Sequence, residues 1–363
     1  MTAYTATSYT GTSYTTADYA GTDYAPTDSA ASKSAAPVGA LARELALADI
    51  SNVRSVAAAI TSSVERAIEG KHHVIALALA VLLSGGHLLI EDVPGVGKTT
   101  LAKALARSID GDIQRIQFTP DLLPSDVIGV SIYNSDNRSF EFKPGAVFSH
   151  VLVADEINRA SPKTQSALLE CMQERQVTND GVTYPLQTPF MVIATQNPID
   201  MEGTYPLPEA QRDRFSACIA MGYPDTKAEL AMLDEHCADD PVAAMPTVSS
   251  PAEIAALIQM VANVYVSPAV KQYVVNVLGA TRATPELRLG ASPRAGLHLL
   301  RTGRAVAALD GRDFVLPDDI AALAVPVLAH RLLLNAQTRA DGSSTTDVVK
   351  QLIKHTPVPT AGQ

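Results

Sequence analysis

The sequence predicts an α/β fold in which a parallel β-sheet with helices on both faces is followed by an all-helical domain. Between residues 87 and 221, short apolar segments alternate with segments of helical period. This alternation is typical of a parallel sheet whose strands are joined by crossover helices. After Pro224 we predict no further strands, and only helical periods continue.

Five segments are predicted as strands: His87–Glu91, Ile113–Phe118, Val151–Ala154, Phe190–Ala194 and Ala217–Met221. The predicted helices are Thr99–Ser108, Pro162–Arg175, Thr226–His236, Pro251–Val264, Pro268–Leu278, Arg294–Ala308 and Pro317–Leu334. Several begin at or next to Pro, whose fixed φ suits the first helical position. We therefore divide the chain into a tail (1–38), an α/β core (39–223), a helical domain (224–340) and a C-terminal helix and tail (341–363).

The composition indicates a soluble cytoplasmic protein. The formal net charge of −10 argues against a broad nucleic-acid-binding face, which needs clustered Lys and Arg. Cys171, Cys218 and Cys237 lack metal-ligand spacing and are typical of reduced cytosolic thiols. We expect no signal peptide and no membrane span, because the longest apolar stretch, Val74 to Leu83, is too short to cross a bilayer.

The first 38 residues form a low-complexity segment in which Tyr recurs every five residues, from Tyr4 to Tyr24. That period places the rings on neither one helix face nor one strand face. With so few aliphatic side chains, burial cannot offset the entropy of ordering, and we predict a disordered tail. Both a solubilising arm and a tyrosine-based binding or phosphorylation segment remain open.

A glycine-rich loop follows the first predicted strand and precedes a helix. Its binding residues are Gly95, Val96, Gly97, Lys98, Thr99 and Thr100. Glycines allow backbone amides to turn toward phosphate, and the helix N-terminus adds partial positive charge. We expect Lys98 to reach the β- and γ-phosphates of ATP and the Thr99 hydroxyl to bind Mg²⁺. The full motif would have Gly at position 92, where this chain has Asp92.

Two carboxylates end the third predicted strand. Asp155 and Glu156 directly follow the apolar run Val151–Ala154. In open parallel sheets, ligands bind beyond the carboxyl ends of the strands. We therefore expect Asp155 to hold Mg²⁺ and Glu156 to act as the general base that activates water.

Three further positions are candidates for sensing the γ-phosphate. Asn197 follows the fourth strand, where a neutral amide could orient the attacking water. Arg212 and Arg214 stand before the last strand, and either could pair locally with Asp213 or Glu209 or act on the ATP of a neighbouring subunit. Arg294 begins a helix behind the predicted N-cap Ser292, where a cation opposes the helix dipole unless an anion is near.

The segment Gln176–Gln187 predicts a hairpin that turns at Asn179-Asp180-Gly181. These residues tolerate positive φ. A plain structural hairpin and an inserted pore or substrate loop are both compatible with this pattern.

Taken together, these motifs resemble the MoxR family of AAA+ ATPases, from about Leu41 to Pro359. The matching segments are Glu91–Thr99, Ala154–Ala160, Lys163–Glu170, Ala194–Pro198 and Ala291–Ala295. The resemblance implies that Lys98 and Thr99 belong to the Walker A motif and Asp155 and Glu156 to the Walker B motif. It also implies that Asn197 is sensor 1, Arg214 the arginine finger and Arg294 sensor 2.

Two positions depart from or vary within the family pattern. Asp92 in place of Gly is seen in some members. Arg212 stands where an apolar residue is more common, so the chain has two candidates for the finger. Arg214 is favoured because it directly precedes Phe215, as in the family. The tyrosine-rich tail has no counterpart.

The resemblance implies a five-stranded αβα sandwich with a helical lid that assembles as a ring, a homo-hexamer by expectation, and binds ATP and Mg²⁺. Similar proteins mature or activate protein partners, often proteins with von Willebrand factor A (VWA) domains, and some serve metal-cofactor insertion. The alternatives are a nucleic-acid motor, a magnesium-chelatase-like subunit and a nucleotide-dependent scaffold with little turnover. The acidic charge argues against the first, and the presence of both Glu156 and Asn197 against the last.

Overall fold

The computed structural model describes residues 38–197, 205–224, 226, 229, 230 and 242–359. The tail up to residue 37, most of the predicted helix Thr226–His236 and Cys237 lie outside these residues. The chain divides into a unit Met1–Leu41 and a compact unit Ala42–Gln363, and the description below concerns the second.

In the core, strands alternate with helices as the sequence predicts, and a mainly helical region follows. The helices are α1 Val38–Glu65, α2 His72–Leu83, α3 Lys98–Ser108, α4 Pro124–Ile128, α5 Pro162–Glu174, α6 Glu209–Arg212, α7 Pro251–Ala262, α8 Pro268–Ala283, α9 Pro293–Leu309, α10 Pro317–Leu328, α11 Ala336–Ala340 and α12 Thr345–His355. The strands are β1 Leu88–Glu91, β2 Ile113–Gln117, β3 Gly129–Asn134, β4 Ser139–Pro144, β5 Val151–Asp155, β6 Gln176–Asn179, β7 Val182–Pro185, β8 Met191–Gln196, β9 Ala217–Ile219, β10 Leu287–Leu289 and β11 Leu333–Leu334.

The central sheet has five strands in the order β2-β5-β8-β1-β9, and all of its pairings are parallel. This confirms the predicted sheet. Strands β5 and β8 are apolar almost throughout because both their faces are buried, as is usual in parallel sheets. The register aligns Gln117 with Asp155 and Glu91 with Gln196, so the polar ends of four neighbouring strands lie at one edge of the sheet.

Serine N-caps position the helices of the second domain. Ser250, Ser267 and Ser292 each accept a hydrogen bond from the backbone N–H three residues on, and each is followed by Pro at the first helical position. This arrangement satisfies an N–H group that the helix itself leaves unpaired, and Pro there loses no hydrogen bond. The N-cap predicted at Ser292 is confirmed.

The prediction that strands end at Pro224 was wrong. Strand β10 pairs antiparallel with β11. The predicted helix Pro317–Leu334 correspondingly ends at Leu328, and a 3₁₀ turn covers Ala329–Arg331. The helix stops because Arg331 turns inward, where its guanidinium donates to the Phe215 carbonyl and pairs with Asp213. The following leucines then reach β10.

The sequence analysis missed the insertion between β2 and β5, which contains α4 and the antiparallel hairpin β3–β4. Gly129 begins this hairpin with φ 99°, and a Cβ there would lie 2.5 Å from the carbonyl oxygen of Lys143. Glycine is therefore required by both conformation and space. The second hairpin, β6–β7, was predicted, and Asp180 and Gly181 adopt positive φ at its turn.

Buried histidines predict a loss of stability in acid. Burial lowers the pKa of His87 and of His298 to about 3, from an ordinary value of 6.5. Between pH 6.5 and 3 the unfolded chain binds more protons than the folded one, so the free energy of unfolding falls as the pH falls. We expect a loss of about 1.4 kcal/mol per pH unit for each histidine below pH 6.5.

Denaturant unfolding at pH 7, 6 and 5 measures this effect. His298→Gln should reduce the pH dependence, whereas His73→Gln, which changes an exposed side chain, should leave it unaltered. Equal stability at pH 7 and 5 would contradict the prediction.

Candidate active site at the carboxyl ends of the central strands

The phosphate-binding loop joins β1 to α3 in the conformation that the motif requires. Gly95 and Gly97 have φ of 85° and 88°, in the left-handed region, and Gly97 caps the N-terminus of α3. Space around Gly95 is open, so the backbone conformation and not crowding calls for glycine there. Lys98 Nζ donates to the Asp92 carbonyl oxygen over 2.7 Å and thus lies over its own loop.

Asp92, the residue that departs from the phosphate-loop pattern, anchors the loop. Its carboxylate accepts from Val93 N over 2.8 Å and from Gly222 N over 2.6 Å. The segment that carries Gly222 is held in turn by Lys71, whose Nζ donates to the carbonyl oxygens of residues 221, 222 and 223. Asp92 is not among the residues with positive φ, so this position has no conformational need for glycine.

Asp155 is a buried carboxylate at the end of β5, held from the strands on both sides. From β2, Arg115 Nε donates to Asp155 Oδ2 over 2.6 Å. From β8, Thr195 Oγ1 donates to Asp155 Oδ1 over 3.2 Å. These two contacts orient the Asp155 carboxylate. They also offset the cost of burying its charge at the edge of the sheet.

Glu156 projects from the same strand end in an unusual backbone conformation. Its φ and ψ are 56° and 48°, a left-handed conformation that is rare for residues other than Gly and is concentrated at functional sites. The backbone N–H donates to Thr195 Oγ1 over 3.0 Å. The side-chain Oε2 accepts from Gln117 Nε2 over 2.8 Å and lies 3.0 Å from Arg159 Nε.

Lys98 is electrostatically coupled to the two carboxylates. Burial lowers the pKa of Lys98, and the charges of Asp92, Asp155 and Glu156 partly oppose this shift. The ammonium therefore lies within the field of both carboxylates. A triphosphate bound by the loop would place its γ-phosphate near all three groups.

Asp155 at the end of β5 offers oxygen atoms of the kind that Mg²⁺ prefers. Among the described residues, no group of three or more His, Cys, Asp or Glu side chains could hold a metal by itself. Mg²⁺ usually takes one or two protein oxygens and completes its shell with phosphate and water. Asp155 and Thr99 would supply those oxygens. Asn197, at the end of β8, is buried next to this region of the sheet edge.

The two arginines before β9 differ in their surroundings. Arg212 Nη2 lies 3.8 Å from Glu91 Oε1, so it faces its own sheet. In both arginines, the buried Nε has no hydrogen-bond partner in the described part of the chain. Burial and the neighbouring Arg294 lower the pKa of Arg214, while Glu170 and Glu174 act in the opposite direction. Neither arginine pairs with Asp213 or Glu209 as the local alternative expected.

Asp213 joins the core to the lid. It accepts two hydrogen bonds from Ser292 Oγ, at 3.0 and 2.9 Å, and lies 3.3 Å from the buried Arg331 and 4.0 Å from Arg294. Arg294 also donates to Gln173 over 3.2 Å. The structure thus places Arg294 beside Arg214, in contact with protein groups of α5 and of the segment before β9.

Four residues that contact the site were missed by the sequence analysis: Lys71, Arg115, Gln117 and Thr195. Each is one polar residue in an unremarkable local pattern, and its partner lies between 39 and 152 residues away. Gln114, Arg115 and Gln117 are exposed on the strand that ends the described sheet, so burial did not require a partner for them and no signal in the sequence pointed to these contacts.

The chain has the features of a AAA+ ATPase: a phosphate loop after β1, an acidic pair at the end of β5 and a helical lid that follows. Comparisons with protein-family models and with a solved structure agree. Residues 87–217 match the model of the ATPase family associated with various cellular activities (AAA), and residues 279–352 match the AAA lid domain. The crystal structure of a candidate ATPase from Cytophaga hutchinsonii superposes with a TM-score of 0.82 at 38% identity, covering 88% of this chain and all of the other.

The chain belongs to the MoxR family of AAA+ ATPases. It is 43% identical to the chaperone MoxR1 of Mycobacterium tuberculosis over 82% of this chain and 80% of the relative. It is 47% identical to the protein YeaC of Bacillus subtilis over 82% of this chain and 92% of that protein. Within the residues that the structure describes, no helix is long and apolar enough to cross a membrane.

Proposed function

We propose that this ATPase hydrolyses Mg²⁺-bound ATP within a ring of identical subunits, a hexamer, and uses the cycle to remodel a protein partner. The observation that carries the proposal is that the charges of Asp155 and Glu156 act on the Lys98 ammonium. Lys98 and the loop amides bind the phosphates, while Thr99 and Asp155 hold Mg²⁺. When bound, the metal ion neutralises phosphate charge and favours attack by water.

Glu156 is the group that takes the proton from the attacking water. Its carboxylate lies one residue beyond Asp155, and it contacts the side chains of Gln117 and Arg159 at the protein surface. Asn197 orients the same water from β8. The backbone strain at Glu156 is consistent with a residue that the surrounding structure holds in a working position.

Arg214 and Arg294 act on the nucleotide of the neighbouring subunit. Arg294 lies close enough to lower the pKa of Arg214, and Asp213 is the adjoining carboxylate. Two cations placed side by side attract an anion, and a γ-phosphate from the next subunit would supply it. Arg212 is the weaker candidate for the finger because it already pairs with Glu91.

Mixed rings test this assignment. Arg214→Ala alone should lose ATPase activity by about 10³-fold or more, the range known for arginine fingers. When Arg214→Ala subunits are mixed with Glu156→Gln subunits, interfaces with an intact finger and an intact base form again, so partial activity should return. Arg212→Ala is the matched control and should retain most activity. No recovery at any mixing ratio would reject a finger that acts between subunits.

The protein-partner role is supported by the relative named a chaperone and by an exposed apolar hairpin. In β3–β4, Ile132, Tyr133 and Phe140 are 49, 53 and 73% exposed, and the two rings stack edge to face at 5.3 Å. A surface of this kind fits an extended or unfolded protein segment. We propose that the partner is a VWA-domain protein or a metal-cofactor enzyme complex and that the ATPase acts in the cytoplasm. We also propose that the boundary between the core and the lid lies near residue 224.

A nucleic-acid motor and a magnesium-chelatase-like subunit are the alternatives. The net charge of −10 disfavours a nucleic-acid partner. An ATPase rate that rises on addition of DNA would favour the motor instead.

A further inference from the structure

Arg115 and Thr195 occupy both oxygens of the Asp155 carboxylate. Arg115 Nε lies 2.6 Å from Oδ2, and Thr195 Oγ1 lies 3.2 Å from Oδ1. A metal ion or its bound water that reaches Asp155 must therefore share an oxygen with one of these donors or displace it. Of the two donors, Arg115 is the one that an arriving cation would repel, because both carry positive charge.

The exposure of the two partners shows which one can leave. The Arg115 side chain is 55% exposed, whereas that of Asp155 is 9% exposed. A guanidinium that is already half in water can move fully into solvent at little cost, but a buried carboxylate without a cation is costly. Arg115 also lies on β2, which ends the sheet order and borders only β5 within the described sheet. Asp155 thus needs a cation continuously, while Arg115 does not need Asp155.

A second contact connects Arg115 to the general base. Arg115 Nη2 donates to Gln117 Oε1 over 3.4 Å, and Gln117 Nε2 donates to Glu156 Oε2 over 2.8 Å. The guanidinium therefore orients the amide that holds Glu156. If Arg115 moves away from Asp155, the Gln117 side-chain oxygen loses its hydrogen bond from Arg115. The amide is then less firmly oriented toward Glu156.

We propose that Arg115 is a positioning residue that takes the place of Mg²⁺ at Asp155 in the nucleotide-free protein. When Mg²⁺ and ATP bind, the Arg115 guanidinium leaves the Asp155 carboxylate. Charge at Asp155 is thereby balanced both before and after ATP binds. The inference rests on the Mg²⁺-dependent ATP hydrolysis proposed above, because it concerns the same carboxylate.

The Mg²⁺ requirement of nucleotide binding tests the proposal without relying on activity. In the full chain, binding of a fluorescent non-hydrolysable ATP analogue is followed while the Mg²⁺ concentration is varied. In Arg115→Ala, the Mg²⁺ concentration for half-maximal binding should fall by roughly fivefold, which corresponds to about 1 kcal/mol. Arg115→Gln should behave alike, and Arg115→Lys, which keeps a cation, should stay nearer the unmodified protein. Arg288→Ala, at an exposed arginine of β10, is the control and should cause no change.

The outcomes separate this inference from the proposed function. A Mg²⁺ requirement that is unchanged or increased in folded Arg115→Ala and Arg115→Gln would overturn the role of Arg115 and leave the ATPase assignment intact. If Arg115→Ala does not fold, Arg115→Gln decides by the same criterion. Nucleotide binding that is independent of Mg²⁺ in the unmodified protein would overturn both.

Discussion

Replacing Lys98 with Ala should reduce ATP turnover by about 10²–10³-fold or more, the effect of removing one preorganised charged donor from the reacting phosphate. Lys98 supplies the positive charge of the phosphate loop, and the charges of Asp155 and Glu156 act on its ammonium group. Without it, the charges of the two carboxylates would act on the triphosphate uncompensated by the Lys98 ammonium. Repulsion should then weaken nucleotide binding as well as slow the chemical step.

Steady-state phosphate release and fluorescent-nucleotide binding measure the two effects separately. Lys103→Ala is the matched control, because Lys103 is an exposed lysine on the same helix α3. It should keep near-normal turnover. Normal turnover in Lys98→Ala would remove the phosphate loop from the mechanism.

Replacing Glu156 with Gln should stop hydrolysis and leave nucleotide binding intact. The substitution keeps the size of the side chain and its capacity to accept from Gln117, but an amide cannot take a proton from water. General-base contributions of about 10²–10⁴-fold set the expected loss. Because Asp155 and Lys98 are unchanged, ATP should remain bound for many minutes, with its phosphates intact.

Rapid-quench measurement of ADP formed from bound ATP is the direct readout. Glu69→Gln makes the same chemical change at an exposed site on the segment after α1 and should be silent. A normal hydrolysis rate in Glu156→Gln would assign the base to another residue. The trapped ATP state is also the form in which a protein partner should stay bound long enough to be isolated.

Local sequence carried most of the information about the phosphate site. Gly95 and Gly97 are needed for positive φ, Lys98 starts a helix, and Asp155 ends an apolar strand. These features lie within segments of a few residues, and neighbouring positions along the chain determine them. The parallel sheet was predictable for a similar reason, because strand–helix alternation leaves few topologies.

Features that depend on distant partners were not predictable. The helix α10 looked continuous to Leu334 until Arg331 was found buried against Phe215 and Asp213, more than a hundred residues earlier in the chain. The hairpin β3–β4 was missed because its exposed Ile132, Tyr133 and Phe140 do not alternate toward a core as half-buried strands do. The periodicity of the local sequence therefore predicts neither the end of α10 nor the hairpin β3–β4.

The sequence by itself determined the class of the protein, the phosphate loop and the acidic strand end, because short-range backbone geometry and the chemistry of phosphate binding prescribe those residues in that order. Only the tertiary structure decided that Arg115 and Gln117 hold the carboxylates, that Lys71 and Asp92 anchor the loop, and that Arg294 lies with Arg214. These contacts arise where parallel strands end side by side and where the lid meets the core. Their partners are set by sheet order and packing, which no local pattern records.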